Sequence, residues 1–403
     1  MKKRNICKAA LPLLLSFAML AAAGCGEESS SASSAAQQGT ATASSQQGGK
    51  AESSSQQASQ TPPTAVPTAE PTPAVTEAPT EEPTPEPTPV TELTPPPEEN
   101  LPDGTVHTPL TPVGSVFITE NKAYSPYYFA SSSGDAYAAM LNTVAAALPG
   151  VRTSSILAPT SMAVCLGDEI QATLECSDEA WAIEYTYSMV AEPVTAVRIL
   201  DTLKRHNAEY LFFGTDHHWT QLGAYYAYRD WCYSTGRVPH ELAEYQQMVN
   251  DGFLGLFYYY SDYSDILAAN PDTVYAYIPI GTNDMTIIYN DGEQYPSQVV
   301  RDMSAEDSGT KYSAFIGGDQ PLCAIHNPGI TDGSACILIK DSFGNAFAPF
   351  LVDHFENVYV VDYRYYEGNL TAFAQEHGVT DLVILTNVDE ILQSTADTIL
   401  AMF

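Results

Sequence analysis

Positive charge is scarce in this sequence. Its 403 residues hold 16 Lys and Arg against 49 Asp and Glu, a formal net charge of −33, and past the first few residues the cations do not cluster. Binding a phosphate backbone requires a basic stripe, so a nucleic-acid partner is excluded. Cysteine is also sparse. The seven present have irregular spacings and no Cys-x-x-Cys pair, which argues against a zinc framework or a dense disulfide scaffold. Cys165 and Cys176 could pair in an exported chain, but most of the cysteines beyond residue 112 read as buried free thiols. Long apolar runs are missing too: the longest, Ala9 to Ala23, is short for a membrane span. Proline, by contrast, is concentrated, with 16 of its 28 copies between Pro62 and Pro112.

These contrasts divide the chain into three parts. Residues 1–24 have a basic start (Lys2, Lys3, Arg4, Lys8) and then an apolar run, the pattern of an export signal. The run ends in Leu20-Ala21-Ala22-Ala23-Gly24-Cys25, which resembles a bacterial lipoprotein cleavage site, with Cys25 as the lipidated N-terminus. Such an anchor would hold the protein at the cell membrane, outside the cytoplasm. Residues 25–112 form a Ser/Gln- and then Thr/Pro/Glu-rich tether with too few large apolar side chains to fold. It would span about 50 Å as flexible coil. Residues 113–403 are long enough for one large domain.

Within that domain, Ala136 to Leu148 and Gln221 to Tyr233 have helical spacing, and Ser154 to Ala158 and Glu209 to Gly214 read as short buried strands. Residues 270–290 alternate like an antiparallel pair about a turn at Gly281 to Asp284, a small insertion. The last hundred residues are the clearest: Ala335 to Lys340, Val358 to Asp362 and Asp381 to Thr386 are continuous apolar runs. Helix-like stretches, Asn345 to Phe355 and Leu370 to His377, separate them. This alternation predicts an α/β fold, a parallel sheet with helices on both faces.

Ligands of such sheets gather at the carboxyl ends of the strands, and polar residues follow each strong strand here. Ser342 follows Ala335 to Lys340 at the start of a helix, Arg364 follows Val358 to Asp362, and Asn387 follows Asp381 to Thr386. Asp216-His217-His218-Trp219 follows Glu209 to Gly214. A hydroxyl nucleophile needs a base, and the base needs a carboxylate to orient it. Ser342, His218 and Asp216 can fill those roles, with the Ser342 backbone N–H and the Asn387 amide as oxyanion donors. A metal site at Asp216-His217-His218 would need further ligand clusters, but His206, His240, His326, His354 and His377 stand singly. A glycan-binding module is also open, given the 25 tyrosines and the run Tyr258-Tyr259-Tyr260.

The string Thr215-Asp216-His217-His218-Trp219-Thr220, followed by Leu222-Gly223-Ala224-Tyr225-Tyr226, resembles the signature of the DHHW protein family. Lys340-Asp341-Ser342-Phe343, Pro349-Phe350-Leu351 and Val361-Asp362-Tyr363-Arg364-Tyr365-Tyr366 resemble its C-terminal block. That family is related to alginate O-acetyltransferases of the AlgX/AlgJ type, which are SGNH-hydrolase-like with a circularly permuted order of motifs. The resemblance implies an Asp-x-His pair at Asp216 and His218, with His217 turned away as a structural or substrate-side group beside Trp219. It also implies a serine block at Asp341-Ser342-Phe343, where Lys340 replaces the usual Gly. Asn387 falls on the Asn block, although Leu385 stands where a Gly is usual. Gly317-Gly318 and the region of Arg364 both remain candidates for the third oxyanion donor.

The implied function is an extracytoplasmic O-acetyltransferase that acts on a cell-surface or exported polysaccharide through an acyl-serine. A membrane-bound O-acyltransferase would be its donor partner, and no cofactor or metal is implied. An esterase of the same mechanism and a non-catalytic glycan-binding or assembly lipoprotein are the alternatives.

Overall fold

The run Ala335–Lys340 is buried at every position, and the computed structural model, which describes residues 93–95 and 101–403, shows why. Its alternate side chains enter two different cores. Cys336 and Leu338 pack in one, and Ala335, Ile337 and Ile339 in the other. A strand covered on both faces has no solvent side to mark with polar residues, so its sequence is continuous rather than alternating.

Three short strands, β1 (Thr111–Val113), β2 (Val116–Thr119) and β3 (Lys122–Tyr124), form a small antiparallel sheet. The main sheet draws on β4 (Arg152–Ala158) and β5 (Thr195–Val197). A separate two-stranded sheet follows, from β6 (Gln246–Phe253) and β7 (Asp272–Ile278). The rest of the main sheet is β8 (Asp284–Ile288), β9 (Gln294–Gln298), β10 (Leu322–His326), β11 (Ala335–Lys340), β12 (Asn357–Asp362) and β13 (Asp381–Asn387). Its order is β5-β4-β13-β11-β12-β10-β8-β9. The first five strands are parallel and the last three extend the sheet antiparallel.

Helices cover both faces. Residues Gln221–Ser234 and Gly344–Leu351 supply Ala224, Tyr228, Trp231 and Phe347 to one core. Residues Ser131–Ala147, Leu370–Glu376 and Gln393–Leu400 supply Tyr137, Leu141, Leu370 and Ile399 to the other. This is the α/β sheet with helices on both faces that the sequence predicts, extended at one edge by antiparallel strands. Among the described residues no helix is long and apolar enough to cross a membrane. The five cysteines beyond residue 112 are free thiols, Cys165 and Cys176 included. The signal segment, Cys25 and almost all of the tether up to residue 100 lie outside the described residues.

Three expectations need correction. Glu209 to Gly214 is not a strand: only Phe212 bridges, to Trp219. The segment's backbone pairs instead with the loop that follows, Phe213 N–H to the His218 carbonyl and Thr220 N–H to the Leu211 carbonyl, and Asp272 accepts the Gly214 and Thr215 N–H groups at 2.9 and 2.7 Å. The two strands of 270–290 exist but do not pair with each other. β7 pairs with β6, a strand with no sequence signal of its own, and β8 joins the main sheet through β10. The folded part also begins before residue 113: Val106 bridges Leu166, and Asn207 accepts the Gly104 N–H at 2.8 Å.

Lys340, where related serine blocks have Gly, ends β11 fully buried. It lies directly across from Asp362 of β12. Its Nζ donates to Asp362 Oδ2 at 2.6 Å and to Asp319 Oδ1 at 3.2 Å. Removing one partner of a buried ion pair strands the other. Lys340→Met should therefore lower unfolding free energy by about 3 kcal/mol, the low end for such a loss because Arg364 still pairs with Asp362. Denaturant titration measures it, and an unchanged midpoint would contradict the pairing.

Candidate active site

At the end of β11 the chain turns through Asp341-Ser342-Phe343 into the helix Gly344–Leu351. Gly344 is required, because a Cβ there would sit 2.4 Å from Lys340 Cβ. Asp341 fixes the turn. One carboxylate oxygen accepts the Phe343 N–H at 2.8 Å, and the other accepts the Asn387 N–H at 2.6 Å at the end of β13. Among the described residues no hydrogen bond uses the Ser342 N–H.

The Asp216-His217-His218-Trp219 loop meets this turn from the other side. Asp272, the first residue of β7, accepts from the backbone of Gly214 and Thr215, from the Thr215 hydroxyl at 2.6 Å and from Tyr210 at 2.7 Å. Thr220 caps the next helix, and buried Trp219 donates its indole N–H to the Phe343 carbonyl at 2.9 Å. The two loops are thereby locked together.

Asp216, His218 and Ser342 form one hydrogen-bonded line. His218 Nδ1 lies 2.6 Å from Asp216 Oδ1, and His218 Nε2 lies 2.7 Å from Ser342 Oγ. A carboxylate only accepts, so Nδ1 carries the proton and Nε2 is left to accept from the serine hydroxyl. Burial alone would raise the Asp216 pKa. The two histidines and the hydrogen bonds from His218 outweigh it and hold this carboxylate well below its usual range. Asp216 Oδ2 accepts the Leu256 N–H at 2.8 Å. Tyr312 stacks on the His218 ring (4.0 Å between centroids, 13° between planes) and donates to the Ser342 carbonyl at 2.9 Å.

The remaining sequence candidates divide. His217 is not turned away: its ring lies 3.8 Å from that of His218 and is 31% exposed. Burial, and then the neighbouring His218, push its imidazole down to about 4. Trp219 does not face a substrate, because its ring is fully buried and its N–H is spent on Phe343. The Gly318 N–H is committed to the Phe315 carbonyl at 2.9 Å, which removes it as an oxyanion donor. Asn387 spends one amide hydrogen on the Ala158 carbonyl and accepts the Asp389 N–H. Arg364 binds both oxygens of Asp362 and reaches Asp319 at 3.0 Å, leaving it 31% exposed. The ligand atoms of Asp216, His217 and His218 lie within 4.8 Å of one another, yet both His218 nitrogens are committed to Asp216 and Ser342, a poor fit to a metal ion. Tyr312, Asp272, Gly255 and Asp319 carry no sequence motif. They are identified only by what they touch.

Buried carboxyls surround the strand ends. Burial pushes Glu179 up to about 7 and Asp389 up to about 6; burial and then Glu390 push Asp341 up to about 7. Glu179 accepts from both the N–H and the hydroxyl of Thr160. A carboxyl whose folded pKa is raised costs stability as pH rises from its unfolded value, near 4.5 here, through its folded value. The melting temperature of Glu179→Gln relative to wild type should therefore climb between about pH 4.5 and pH 8; a flat difference would refute the raised pKa. At Gly255 a Cβ would lie 2.1 Å from Asp216 Oδ2. Gly255→Ala should cost about 1–3 kcal/mol of stability and move the His218 ring ¹⁵N shifts, readable by NMR.

No curated protein matches the sequence. Among solved structures, a DHHW family protein from Eubacterium siraeum is 27% identical with a TM-score of 0.65, covering 74% of this chain and 98% of that one. Bacillus cereus PatB1 is 17% identical with a TM-score of 0.57, covering 70% and 97%, and has also been solved with a sulfonyl adduct. The O-acetyltransferase domain of Pseudomonas putida AlgJ is 12% identical with a TM-score of 0.40, covering 70% and 92%. The DHHW protein family profile matches residues 104–361, well over half of the sequence and including Asp216, His218 and Ser342; the chain belongs to the DHHW protein family.

Proposed function

We propose that this protein is an SGNH-type O-acetyltransferase that acts on a cell-surface or exported polysaccharide, anchored outside the cytoplasm through Cys25. The observation that carries this reading is the unbroken Asp216–His218–Ser342 line at 2.6 and 2.7 Å. Ser342 Oγ attacks the carbonyl carbon of an acetyl donor while His218 Nε2 takes its proton. The free Ser342 N–H supports the oxyanion. Collapse breaks the bond to the leaving group, which takes the proton from His218, and acetyl remains on Ser342. A sugar hydroxyl then gives its proton to His218 and attacks the acetyl carbon, and the proton returns to Ser342 as the sugar ester leaves. Asp216 holds the ring in the required tautomer and offsets the imidazolium charge. A membrane-bound O-acyltransferase would supply the acetyl group.

Incubation with a chromogenic acetyl ester, with and without an oligosaccharide acceptor, followed by intact-protein and glycan mass measurement, tests this. Acetyl should appear on Ser342 and then on sugar, a sulfonyl fluoride should modify the same serine, and Ser342→Ala should abolish both. Asp216→Asn should lower turnover by about 10⁴. Hydrolysis indifferent to the acceptor would make the protein an esterase. A chain whose Ser342 never becomes acylated or sulfonylated is no enzyme of this class.

A further inference from the structure

The short helix Leu256–Tyr260 begins at the Leu256 N–H that holds Asp216 and continues into a cluster of tyrosines. The rings of Tyr258, Tyr259 and Tyr263 lie 5.4–5.6 Å apart, with Tyr263 edge-on to both others at 88° and 85°. Packing would bury such rings. Instead Tyr259 is 42%, Tyr260 38% and Tyr263 61% exposed. The backbone that presents them is unusual, because Asp262 and Tyr263 both take left-handed conformations, φ 55° and 62°, which non-glycine residues rarely adopt.

The cluster also adjoins the loop that carries Asp216 and the turn that carries Tyr312. Tyr259 Oη lies 2.8 Å from where a Gly309 Cβ would stand, against the turn Ser308–Ala314 that carries Tyr312. The Tyr258 N–H donates to the Thr215 carbonyl at 3.2 Å, next to Asp216. Exposed aromatic faces on the segment that holds Asp216 suit the apolar faces of sugar rings, with the phenol hydroxyls able to make polar contacts.

Charge narrows the ligand. No Lys or Arg occurs between Arg237 and Arg301, while that stretch contains nine Asp and Glu. Asp262, Asp265, Glu306 and Asp307 are exposed around the tyrosines. Of the cations near the serine turn, Lys340 and Arg364 are paired with Asp362 and Asp319, and Lys311, on the turn that carries Tyr312, is buried with its Nζ spent on the Met303 and Ser304 carbonyls. A chain of uronates or phosphates would meet exposed carboxylates there and, among the described residues, no exposed cation.

We propose that Tyr259, Tyr260 and Tyr263 form the acceptor-binding platform, and that its ligand is a glycan without uronate or phosphate groups, neutral or carrying free amines. This rests on the acyl-transfer reading for its purpose but not for its test. Binding is measured by calorimetry on the full chain carrying Ser342→Ala, with N-acetylglucosamine hexamer, glucosamine hexamer and hexagalacturonate as probes. The first two should bind and the third should not. Tyr259→Ala and Tyr263→Ala should each weaken binding about three- to tenfold, while Tyr263→Phe stays within about twofold because the ring face is kept. Binding of hexagalacturonate as tight as that of the other two, no binding of either glucosamine-based hexamer, or alanine variants that bind like the parent would overturn the proposal. A wild-type chain that never acylates Ser342, yet whose Ser342→Ala form binds through Tyr263, would end the transfer reading and leave the platform standing.

Discussion

Buried loop N–H groups must find acceptors, and around this site the acceptors are carboxylates. A parallel sheet satisfies its own backbone, but the turn after β11 and the Asp216 loop that meets it belong to no sheet. Asp272 is the acceptor for Gly214 and Thr215, Asp216 for His218 and Leu256, and Asp341 for Phe343 and Asn387. Each of these side chains spans two chain segments. The positions of Ser342 and His218 therefore depend on three buried acids as well as on the helices beside them.

The same constraint explains the departure at Lys340. A lysine at the end of a fully buried strand is costly unless it is paired. Here it is paired across the parallel register with Asp362, and the pair shares Asp319 and Arg364. The network underlies the serine turn and leaves Arg364 partly exposed at its edge. Lys340 therefore links β11 and β12 at the place where a glycine would have left a gap.

Much of this was legible in the residues. The runs Ala335–Lys340, Asn357–Asp362 and Asp381–Asn387 read as strands because two-sided burial makes them continuously apolar. Asp216, His218 and Ser342 could be picked out because their chemistry is restrictive. The segment Glu209–Gly214 misled for a physical reason: it is apolar because Leu211, Phe212 and Phe213 enter the core, yet its backbone bonds to the loop that follows, at His218 and Thr220, and to Asp272 rather than to a sheet. β6 escaped notice because one of its faces is solvent-exposed and its residues, Gln246 to Phe253, are mostly polar. Tyr312, the ring beneath His218, lies in a stretch with no motif.

The sequence by itself determined the scarcity of cations, the alternation of buried strands with helices, and the residue types able to form a nucleophile, a base and its carboxylate. These follow from composition and periodicity, which are local properties. Only the tertiary structure decided that His218 meets Ser342 across 124 positions of chain. It also decided that the His217 ring lies against His218 rather than turning away, that Trp219 and the Gly318 N–H are committed to the scaffold, and that the tyrosines after Leu256 stand exposed on the segment that holds Asp216. Such pairings come from which loops the sheet order brings to one edge, and that order is set by the packing of the whole domain.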